Sequence, residues 1–395
     1  MMYKEIRLRK GKDESLRRFH PWVFSGAIQT QEDGIEDGDI VRVLTFSGDF
    51  IAVGHYQRGS ITVRVLAFSD IVIDDDFWKA RLHASLLARK AIGLVDNAQN
   101  NTYRLVHGEG DYLPGLIVDV YGDTAVVQAH SIGMHYMRKH IAKALEQVME
   151  GRIRNIYYKS ETTLPFMTSE DMNGFLVGGS NNNIATENGL QFRVDWLHGQ
   201  KTGFFVDQRE NRLLLERFAN GRRVLNMFCY TGGFSFYAMR GGAALVHSVD
   251  SSEKAVELTR ENVNLNFPAD RRHQAFCEDA FKFLDKIRED GSYNLIILDP
   301  PAFAKHRGAL HNALKGYIRL NQKAFEKIEA GGILFTFSCS QVVTKEHFRN
   351  AVFTAAALAH RKVRILHQLH QPADHPINIF HPEGEYLKGL VLYVE

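Results

Sequence analysis

The sequence predicts an α/β protein in which an open, mostly parallel sheet with helices on both faces is preceded by a small β barrel and a central α+β domain. Short apolar runs separated by Gly and Asp fill residues 6–66, a helix-length stretch follows at 76–92, and strand-like and helix-like segments alternate from Asn188 onward. Such alternation favours a parallel sheet covered on both faces. The predicted domains are residues 1–72, 73–186 and 187–395.

The composition is that of an ordinary globular protein. The 395 residues are 45% hydrophobic and 24% charged, and the length suffices for several domains with cores of their own. A net charge of +2 excludes a histone-like polycation and leaves contacts with nucleic acid to local patches. The three cysteines are too scattered for a disulfide framework or a CxxC zinc site, so we expect reduced thiols in a cytoplasmic protein. The charged start and the lack of a long apolar window predict neither a secretory signal nor a membrane span.

The first domain combines short strands with a basic leading segment. Residues 23–24, 40–44, 50–54 and 61–66 are strand-like, which is typical of a small barrel. Residues 1–18 contain three acids and seven basic residues, namely Lys4, Arg7, Arg9, Lys10, Lys12, Arg17 and Arg18. This surplus predicts a surface for nucleic acid, and the alternative is a solvated charged strand.

The central domain predicts an α+β fold. Its helix at 76–92 has apolar positions Phe77, Leu82, Leu86 and Leu87, and residues 103–184 mix strand-like runs with a helix around 134–150. His107, Glu109 and Asp111 lie close together in one loop. Without a further ligand in register, we do not assign them a metal.

The third domain contains five strand-like runs, at 223–228, 244–250, 273–277, 294–298 and 333–338. Helix-like segments separate them, notably at 252–266 and 312–330. Ligands of such sheets bind at the carboxyl ends of the strands, so the residues that follow each strand are the candidates for chemistry.

The first strand of this sheet leads into a loop with paired glycines, Gly232 and Gly233. Glycine lets backbone N–H groups approach a ligand closely at a helix N-terminus. The loop lacks the GxGxxG spacing, so it favours a ligand without a pyrophosphate. Asp250 closes the second strand, where an acid can accept both hydroxyls of a ribose, and Asp279 follows the third strand, where it can meet a base edge. The alternative is that each acid is a helix N-cap.

Two further strand ends carry reactive groups. Asp299-Pro-Pro-Ala-Phe303 follows the fourth strand, and its prolines predict a rigid exit that holds Asp299 and Phe303 at the pocket mouth. A stiff turn without chemistry is the alternative. Cys339 ends the fifth strand beside Asp299, unlike Cys229 and Cys277, which we interpret as small hydrophobic side chains.

The chain resembles the S-adenosylmethionine-dependent RNA methyltransferases of the ribosomal large subunit methyltransferase I family. The resemblance covers nearly the whole chain, and Ser-Cys-Ser on the strand after Asp-Pro-Pro is characteristic of the enzymes that methylate a cytosine carbon. The matching motifs are His20-Pro-Trp-Val-Phe-Ser-Gly26, Arg104-Leu-Val-His107, Leu113-Pro-Gly-Leu-Ile-Val-Asp119, Lys201-Thr-Gly, Asp207-Gln-Arg, Tyr230-Thr-Gly-Gly-Phe234, Asp299-Pro-Pro, Ser338-Cys-Ser340 and Ala373-Asp-His-Pro376.

The resemblance implies a PUA pseudo-barrel, a Rossmann-like methyltransferase domain and the formation of 5-methylcytidine in large-subunit (23S) ribosomal RNA. Cys339 would add to carbon 6 of the cytosine as a thiolate, and Asp299 would bind the ring nitrogen 3 and amino edge. The implied cofactor-binding residues are Gln208, Phe228, Tyr230, Thr231, Gly232, Gly233, Asp250, Asp279 and Asp299.

The implied partner is ribosomal RNA, either naked or in a partly assembled particle, and a homodimer is left open. Lys305 joins Lys4, Arg7, Arg9, Lys10, Arg17 and Arg18 as a predicted RNA-binding residue. One departure from the two-cysteine cytosine methyltransferases is Ala302, which stands where those enzymes carry a second cysteine. Release of the product must then proceed without that thiol.

Three other functions remain as alternatives. An enzyme that methylates exocyclic amino groups also uses an acid-Pro-Pro-aromatic motif, although Phe303 stands one residue late for it. A non-catalytic RNA-binding assembly factor would methylate nothing, and a nicotinamide dehydrogenase is disfavoured by the absent GxGxxG. No metal is assigned to the late histidines, which are His367, His370, His375 and His381.

Overall fold

The computed structural model describes residues 3–164, 172–180, 182–287 and 292–395. The chain forms two compact units. The first comprises Met1–Gly189, Val194–Val206 and Ala373–Gly384, and the second comprises Leu190–Arg193, Asp207–Pro372 and Glu385–Glu395.

The first unit begins with a six-stranded sheet. Its strands are β1 (Lys4–Leu8), β2 (Trp22–Phe24), β3 (Ile28–Gln31), β4 (Ile40–Leu44), β5 (Phe50–Tyr56) and β6 (Ile61–Ala67), with a short helix α1 (Glu14–Arg17) after β1. Their order is β2-β6-β5-β4-β1-β3, and β1 runs parallel to β4. Alternate residues of these strands form an apolar core that includes Ile6, Leu8, Val41 and Val43. The predicted small β domain is confirmed.

The rest of the first unit is an α+β layer, as predicted. Its elements are α2 (Asp75–Ala91), β7 (Thr102–His107), β8 (Leu116–Tyr121), β9 (Thr124–Ala129), α3 (Ile132–Tyr136), α4 (Arg138–Met149), β10 (Asn155–Lys159), β11 (Asn173–Val177) and β12 (Ile184–Glu187). The sheet order is β11-β10-β9-β8-β7. Asp74 begins α2 by accepting a hydrogen bond from the Phe77 backbone N–H at 3.0 Å.

The second unit contains the alternating strands and helices. They are β13 (Leu190–Arg193), α5 (Arg209–Phe218), β14 (Arg223–Met227), α6 (Gly233–Arg240), β15 (Leu245–Asp250), α7 (Glu253–Asn266), β16 (His273–Cys277), α8 (Ala280–Lys286), β17 (Tyr293–Leu298), α9 (Leu310–Lys327), β18 (Ile328–Ser338), α10 (Lys345–Leu358), β19 (Val363–His370) and β20 (Lys388–Val394).

Seven of these strands form one sheet in the order β16-β15-β14-β17-β18-β20-β19. The five strands from β14 to β18 are parallel, whereas β20 is antiparallel to both of its neighbours. The strand order reverses between β14 and β17, and this is the point at which open α/β sheets bind ligands. The predicted parallel sheet is confirmed, while β19 and β20 had not been anticipated.

Some predicted boundaries and faces were wrong. The segment 134–150 forms two helices, α3 and α4, and α9 ends at Lys327, where β18 already begins. Leu87 is 50% exposed, because the buried face of α2 instead includes Ser85 and Arg89. Helical spacing alone did not identify that face, since the Arg89 guanidinium is buried through its bonds to Asp111.

Among the described residues, none of the helices combines the length and the apolar character needed to cross a membrane.

Candidate active site

The loop after β14 has an unusual backbone. Phe228, Tyr230 and Gly232 have φ angles of 57°, 47° and 85°, in the left-handed region. Gly232 precedes α6, and a Cβ at this position would lie 2.7 Å from Thr259 Cγ2. Both the φ angle and the close approach of α7 therefore require glycine here.

Asp250 braces this loop from the end of β15. Its Oδ2 accepts a hydrogen bond from the Tyr230 backbone N–H at 3.0 Å, and its Oδ1 accepts one from the Ser252 N–H at 2.9 Å. Ser252, rather than Asp250, is the N-cap of α7. Each carboxylate oxygen keeps a further lone pair, so the side chain can still accept the hydroxyls of a ribose.

Asp279 lies at the same edge of the sheet, two residues beyond Cys277, the β16 partner of Asp250. Its Oδ1 accepts a hydrogen bond from the Lys282 N–H at 3.0 Å, so Asp279 does cap α8. The carboxyl is exposed, and capping engages one of its two oxygens. The capping role and a contact with a base edge are therefore compatible.

Thr231 and Asn226 carry polar atoms that the described residues leave unpaired. Thr231 Oγ1 and Asn226 Oδ1 are buried without a hydrogen-bond partner, although Asn226 Nδ2 donates to Ser235 Oγ at 2.9 Å. Buried polar atoms without partners are costly, and they mark places where a ligand or water completes the structure. Together with the Asp250 carboxylate, they provide the donors and acceptors that a nucleoside with a polar tail requires.

Asp299, directly after β17, has a perturbed carboxyl group. Burial, and secondly the charge of the neighbouring Asp207 carboxylate, raise its pKa to about 7, although a hydrogen bond from Gln208 and the charge of Arg212 act in the opposite direction. The Asp299 residue as a whole is partly exposed to solvent, whereas its carboxyl group is buried among protein atoms. At neutral pH the group is therefore divided between its acid and its anion.

The residues beside Asp299 are held by further hydrogen bonds. The Tyr386 hydroxyl donates to Asp207 Oδ2 at 2.7 Å, and Asn211 Nδ2 donates to Gln208 Oε1 at 2.6 Å. Gln208 is buried, so its amide can orient Asp299 at the pocket. Asp207 had not been selected from the sequence as a site residue, although its motif had been noted.

Cys339 contacts Pro300, the residue directly after Asp299. The Cys339 thiol contacts the Pro300 carbonyl oxygen at 3.9 Å, and strands β17 and β18 pair as far as Leu298 and Thr336. The Phe303 ring packs against that of Tyr317, with 4.6 Å between the centroids. Phe303 therefore anchors the loop to α9.

The three cysteines have different surroundings. Cys229 is buried, and burial raises the pKa of its thiol well above the ordinary range. Cys277 is exposed on β16. Cys339 is half-buried at the end of β18, so a reagent or substrate can reach it beside Asp299.

Lys388 is a buried cation that sequence reasoning missed. It faces Ser338 across the β18–β20 pair, and its Nζ donates to the Ser340 carbonyl oxygen and, at 2.6 Å, to that of Tyr386. Burial lowers its pKa to about 8, and the negative charge of an ionised Cys339 acts in the opposite direction. In the sequence, this site could have been recognised from the lysine that begins an otherwise apolar, strand-like run.

The predicted RNA-binding residues lie in both units. In the first unit, Arg7, Arg9, Lys10, Arg17 and Arg18 are exposed. Lys305 is exposed in the second unit, in the loop after the two prolines.

Two of these basic side chains already have acidic partners. Lys4 pairs with Asp39 at 3.4 Å, and Arg17 pairs with Asp13 at 2.6 Å. Surface pairs of this kind are weak, so phosphate groups can replace the carboxylates.

The acids of the central loop are engaged within the protein. Asp111 receives a hydrogen bond from Arg89 at 2.7 Å, and Glu109 receives one from the Trp22 indole N–H at 2.9 Å. His107 lies against His375, with 4.9 Å between ring centroids. These contacts give the loop a structural role in the first unit.

His20, His381 and Glu383 place three atoms of the metal-ligand type within 4.8 Å of one another. The His20 Nδ1 accepts a backbone N–H from Trp22 at 3.3 Å. In the neutral ring, the other nitrogen then carries the proton, and it faces Glu383. We assign no metal to this cluster.

The strand order, the glycine loop and the acids at successive strand ends define an S-adenosylmethionine-dependent methyltransferase. Comparison with protein families confirms the class. A model described as S-adenosylmethionine-dependent methyltransferase matches residues 161–378, and a model of a PUA-like domain matches residues 6–68. S-adenosylmethionine is accordingly the cofactor, and the donors and acceptors around Asp250 and Thr231 fit it.

Curated relatives identify the particular family. A protein of Tolumonas auensis named ribosomal RNA large subunit methyltransferase I is 40% identical over 398 residues, covering 99% of each chain. One of the same name from Escherichia coli O139:H28 is 36% identical and covers 98% of each chain. The chain belongs to the ribosomal RNA large subunit methyltransferase I family.

Solved structures agree on the fold. The structure of a Streptococcus mutans protein assigned as an S-adenosylmethionine-dependent methyltransferase has a TM-score of 0.84, with 22% identity and 100% of each chain covered. A second solved structure, of a protein assigned as a methyltransferase and complexed with SAH, has a TM-score of 0.85, also with 22% identity and 100% of each chain covered. At this identity, the likeness concerns the fold.

Proposed function

We propose that the protein forms 5-methylcytidine in large-subunit (23S) ribosomal RNA, with Cys339 as the nucleophile and Asp299 as the group that binds the base. The observation that carries the proposal is the contact of the Cys339 thiol with the Pro300 carbonyl, 3.9 Å away, next to a carboxyl group with a pKa of about 7. The relatives' names support ribosomal RNA as the substrate.

Carbon 5 of cytosine is a weak nucleophile, and a thiolate solves this problem. When the Cys339 sulfur bonds to carbon 6, the carbon 5–carbon 6 double bond supplies an electron pair that makes carbon 5 nucleophilic. The thiol must be ionised for this step, because the thiolate is the reactive form. Its accessible position at a strand end suits attack on an inserted base.

Asp299 supplies a proton donor at the ring. Because its pKa lies near neutrality, a large share of the carboxyl is protonated at pH 7 and can donate a hydrogen bond to the ring nitrogen 3. Negative charge develops on the ring as the sulfur adds, so this hydrogen bond strengthens in the transition state. The Gln208 amide keeps the carboxyl in place.

S-adenosylmethionine supplies an electrophilic methyl group when it is bound. Asp250 would hold its ribose hydroxyls, Asp279 would meet its base edge, and the loop from Phe228 to Gly233 would enclose its remaining polar groups. Thr231 Oγ1, which lacks a partner among the described residues, would gain one.

The first unit supports RNA binding through charge and aromatic surface. Phe19 directly follows the basic residues Arg17 and Arg18 and is 47% exposed, and its ring packs against those of Phe68 and Phe380, each with 5.3 Å between centroids. Basic side chains with exposed aromatic rings bind unpaired RNA, and an unpaired cytosine also costs less to insert into a site.

We place the domain boundaries after residues 72 and 186 and the reaction in the cytoplasm.

The decisive test combines methylation with covalent trapping. Purified protein with S-adenosylmethionine and either naked ribosomal RNA or partly assembled particles should yield 5-methylcytidine by mass spectrometry. RNA that carries 5-fluorocytidine should form a covalent complex with wild-type protein and with Cys277→Ala, but not with Cys339→Ala. N4-methylcytidine or N6-methyladenosine as the product would replace the proposal with amino-group methylation. No methylation of any RNA would support an assembly factor, and light scattering of the same sample would show whether a homodimer forms.

A further inference from the structure

We propose that Lys388 is a positioning residue that generates the reactive thiolate of Cys339 by taking up its proton and facing it as an ammonium ion. This inference rests on the proposed function for its role in the reaction, but the ion pair itself is a property of the free protein. Lys388 acts through Cys339 and is not assigned a contact with the base.

The position of Lys388 follows from the direction of β20. Within the described part of the large sheet, β20 is the only strand that runs antiparallel to both of its neighbours. Because β20 runs against β18, its first residue lies at the edge where the parallel strands end. Lys388 pairs with Ser338, the neighbour of Cys339, and its Nζ donates to the carbonyl oxygen of Ser340, the other neighbour. Lys388 therefore pairs through its backbone with the residue before the cysteine and binds through its amine to the residue after it.

Among the described residues, no carboxylate forms a salt bridge with the Lys388 amine. Lys388 is 6% exposed, and its Nζ bonds are to the neutral carbonyls of Ser340 and Tyr386. Two carbonyls use two of the three ammonium protons, so one remains to face another acceptor. A buried ammonium with only neutral partners is costly, which favours a nearby anion as its complement.

The other charged groups around Lys388 do not provide that anion. Glu385 favours the ammonium form, but its carboxylate pairs with the Lys345 ammonium, which has the opposite effect on Lys388. Tyr317 bonds to Ser338 Oγ, and burial raises the pKa of its hydroxyl to about 12, so it is neutral. Cys339 is the group whose ionisation Lys388 can complement.

The proton passes directly from the sulfur of Cys339 to the side-chain nitrogen of Lys388. The S–H bond of Cys339 breaks, its proton bonds to the lone pair of the neutral Lys388 amine, and a thiolate and an ammonium result. When the sulfur bonds to carbon 6, the thiolate charge passes into the ring and the ammonium remains. After methylation, a base such as water takes the carbon 5 proton, the electron pair of that C–H bond re-forms the carbon 5–carbon 6 double bond, the carbon 6–sulfur bond breaks, and the thiolate again faces the ammonium. The pKa of Lys388, about 8, is close to the 8.5 or so of an ordinary thiol, so either form of the pair is accessible near neutrality.

The test is the pH dependence of Cys339 alkylation in the full-length protein without cofactor or RNA. Iodoacetamide labelling is followed for each cysteine by peptide mass spectrometry between pH 5.5 and 9.5, and exposed Cys277 serves as the reference in the same sample. We expect wild-type Cys339 to have an inflection below about 8.5, the value of an ordinary thiol. In Lys388→Met, the inflection should rise by at least one pH unit, which lowers the labelling rate at pH 7 about tenfold.

Two further variants separate charge from structure. Lys388→Arg keeps the cation and should retain the low inflection. Lys315→Met removes a solvent-exposed ammonium on α9 that does not act on Lys388 and should leave the Cys339 profile unchanged. A wild-type inflection at or above about 8.5 would overturn the inference, even if Lys388→Met does not fold. Superimposable profiles of wild type and folded Lys388→Met would overturn it too.

The outcomes also separate this inference from the proposed function. A shifted alkylation profile without 5-methylcytidine formation would keep the ion pair and reject the cytosine chemistry. A trapped adduct at Cys339 with an unshifted alkylation profile would keep the cytosine chemistry and reject the ion pair.

Discussion

Asp207 and Asp299 place two carboxyl groups at one edge of the large sheet, and the charge of the first helps to raise the pKa of the second to about 7. Neither strand pattern nor hydropathy predicts such a pair, because the two residues are far apart in sequence. Like-charged neighbours of this kind allow one carboxyl to stay protonated at neutral pH. This property gives the first prediction.

Asp299→Asn should remove a pH-dependent loss of stability. A carboxyl whose pKa is raised by folding stabilises the protein fully below the unfolded value of 3.8, and this contribution is lost as the pH rises towards about 7. Above pH 7, the wild-type protein should therefore be less stable than the variant by on the order of 2 kcal/mol, after allowance for partial exposure. Urea unfolding at pH 5 and pH 8 measures the difference, with Asp285→Asn, a surface carboxyl, as control. Equal pH dependence in all three proteins would contradict the raised pKa.

Asp299→Asn should also change catalysis, because its amide cannot exchange a proton with the ring. We expect a loss of methylation of at least about 100-fold, comparable to the removal of one donor from an oxyanion hole. In the wild type, the rate should lose the contribution of the protonated carboxyl as pH rises through about 7. Single-turnover methylation between pH 6 and 9 checks this. A variant with wild-type rate would show that Asp299 only shapes the loop.

Cys339→Ala should keep cofactor binding and lose methylation. The substitution removes a half-buried thiol, so the free energy of unfolding should change little, while the covalent route is eliminated. Calorimetry with S-adenosylhomocysteine and a methylation assay measure the two properties. Cys277→Ala, which alters an exposed thiol on β16, should behave as wild type. Full activity of Cys339→Ala would remove the nucleophile assignment.

Asp250→Ala should weaken cofactor binding by about 10- to 100-fold, since hydrogen bonds to charged groups contribute about 1.5–3 kcal/mol. The carboxylate also accepts the Tyr230 N–H, so part of the loss would come from the loop. Asp250→Asn keeps one acceptor oxygen and should have an intermediate affinity. Unchanged affinity of both variants by calorimetry would mean that Asp250 only braces the loop.

Gly232→Ala should destabilise the protein more than Gly221→Ala. Both glycines have positive φ angles, 85° and 69°, but a Cβ at Gly232 meets Thr259 at 2.7 Å, whereas nothing lies within 4 Å at Gly221. Backbone strain alone costs about 1 kcal/mol, and the clash at Gly232 adds about 1–3 kcal/mol. Urea unfolding compares the two variants. Equal losses would show that the neighbouring helix adjusts freely.

The sequence predicted the parts of the fold that depend on local pattern. Strand runs such as 294–298 and the alternation of strands and helices from Asn188 reappear in the structure because buried parallel strands need apolar runs and crossover helices. The antiparallel β19 and β20 were missed, since β19 is largely exposed and carries several polar residues.

The candidate site was predicted where it follows directly from strand ends. Asp250, Asp299 and Cys339 each come immediately after, or at the end of, a strand of the sheet, so their positions follow from topology. Lys388 reaches the site through the pairing of β20 with β18, and Asp207 reaches it from the turn before α5. Their effects are electrostatic and depend on distances that a linear sequence does not contain.

Gly389 determines which residue of β20 can stand opposite Ser338. It faces Phe337, and a Cβ at this glycine would lie 2.5 Å from the Phe337 ring. A slip of β20 by one residue would press either the Lys388 or the Leu390 side chain into that ring, and it would also turn the lysine to the opposite face of the sheet. The aromatic ring thus disfavours a shifted register, and the register with Gly389 at Phe337 holds the Lys388 amine at the Ser340 carbonyl.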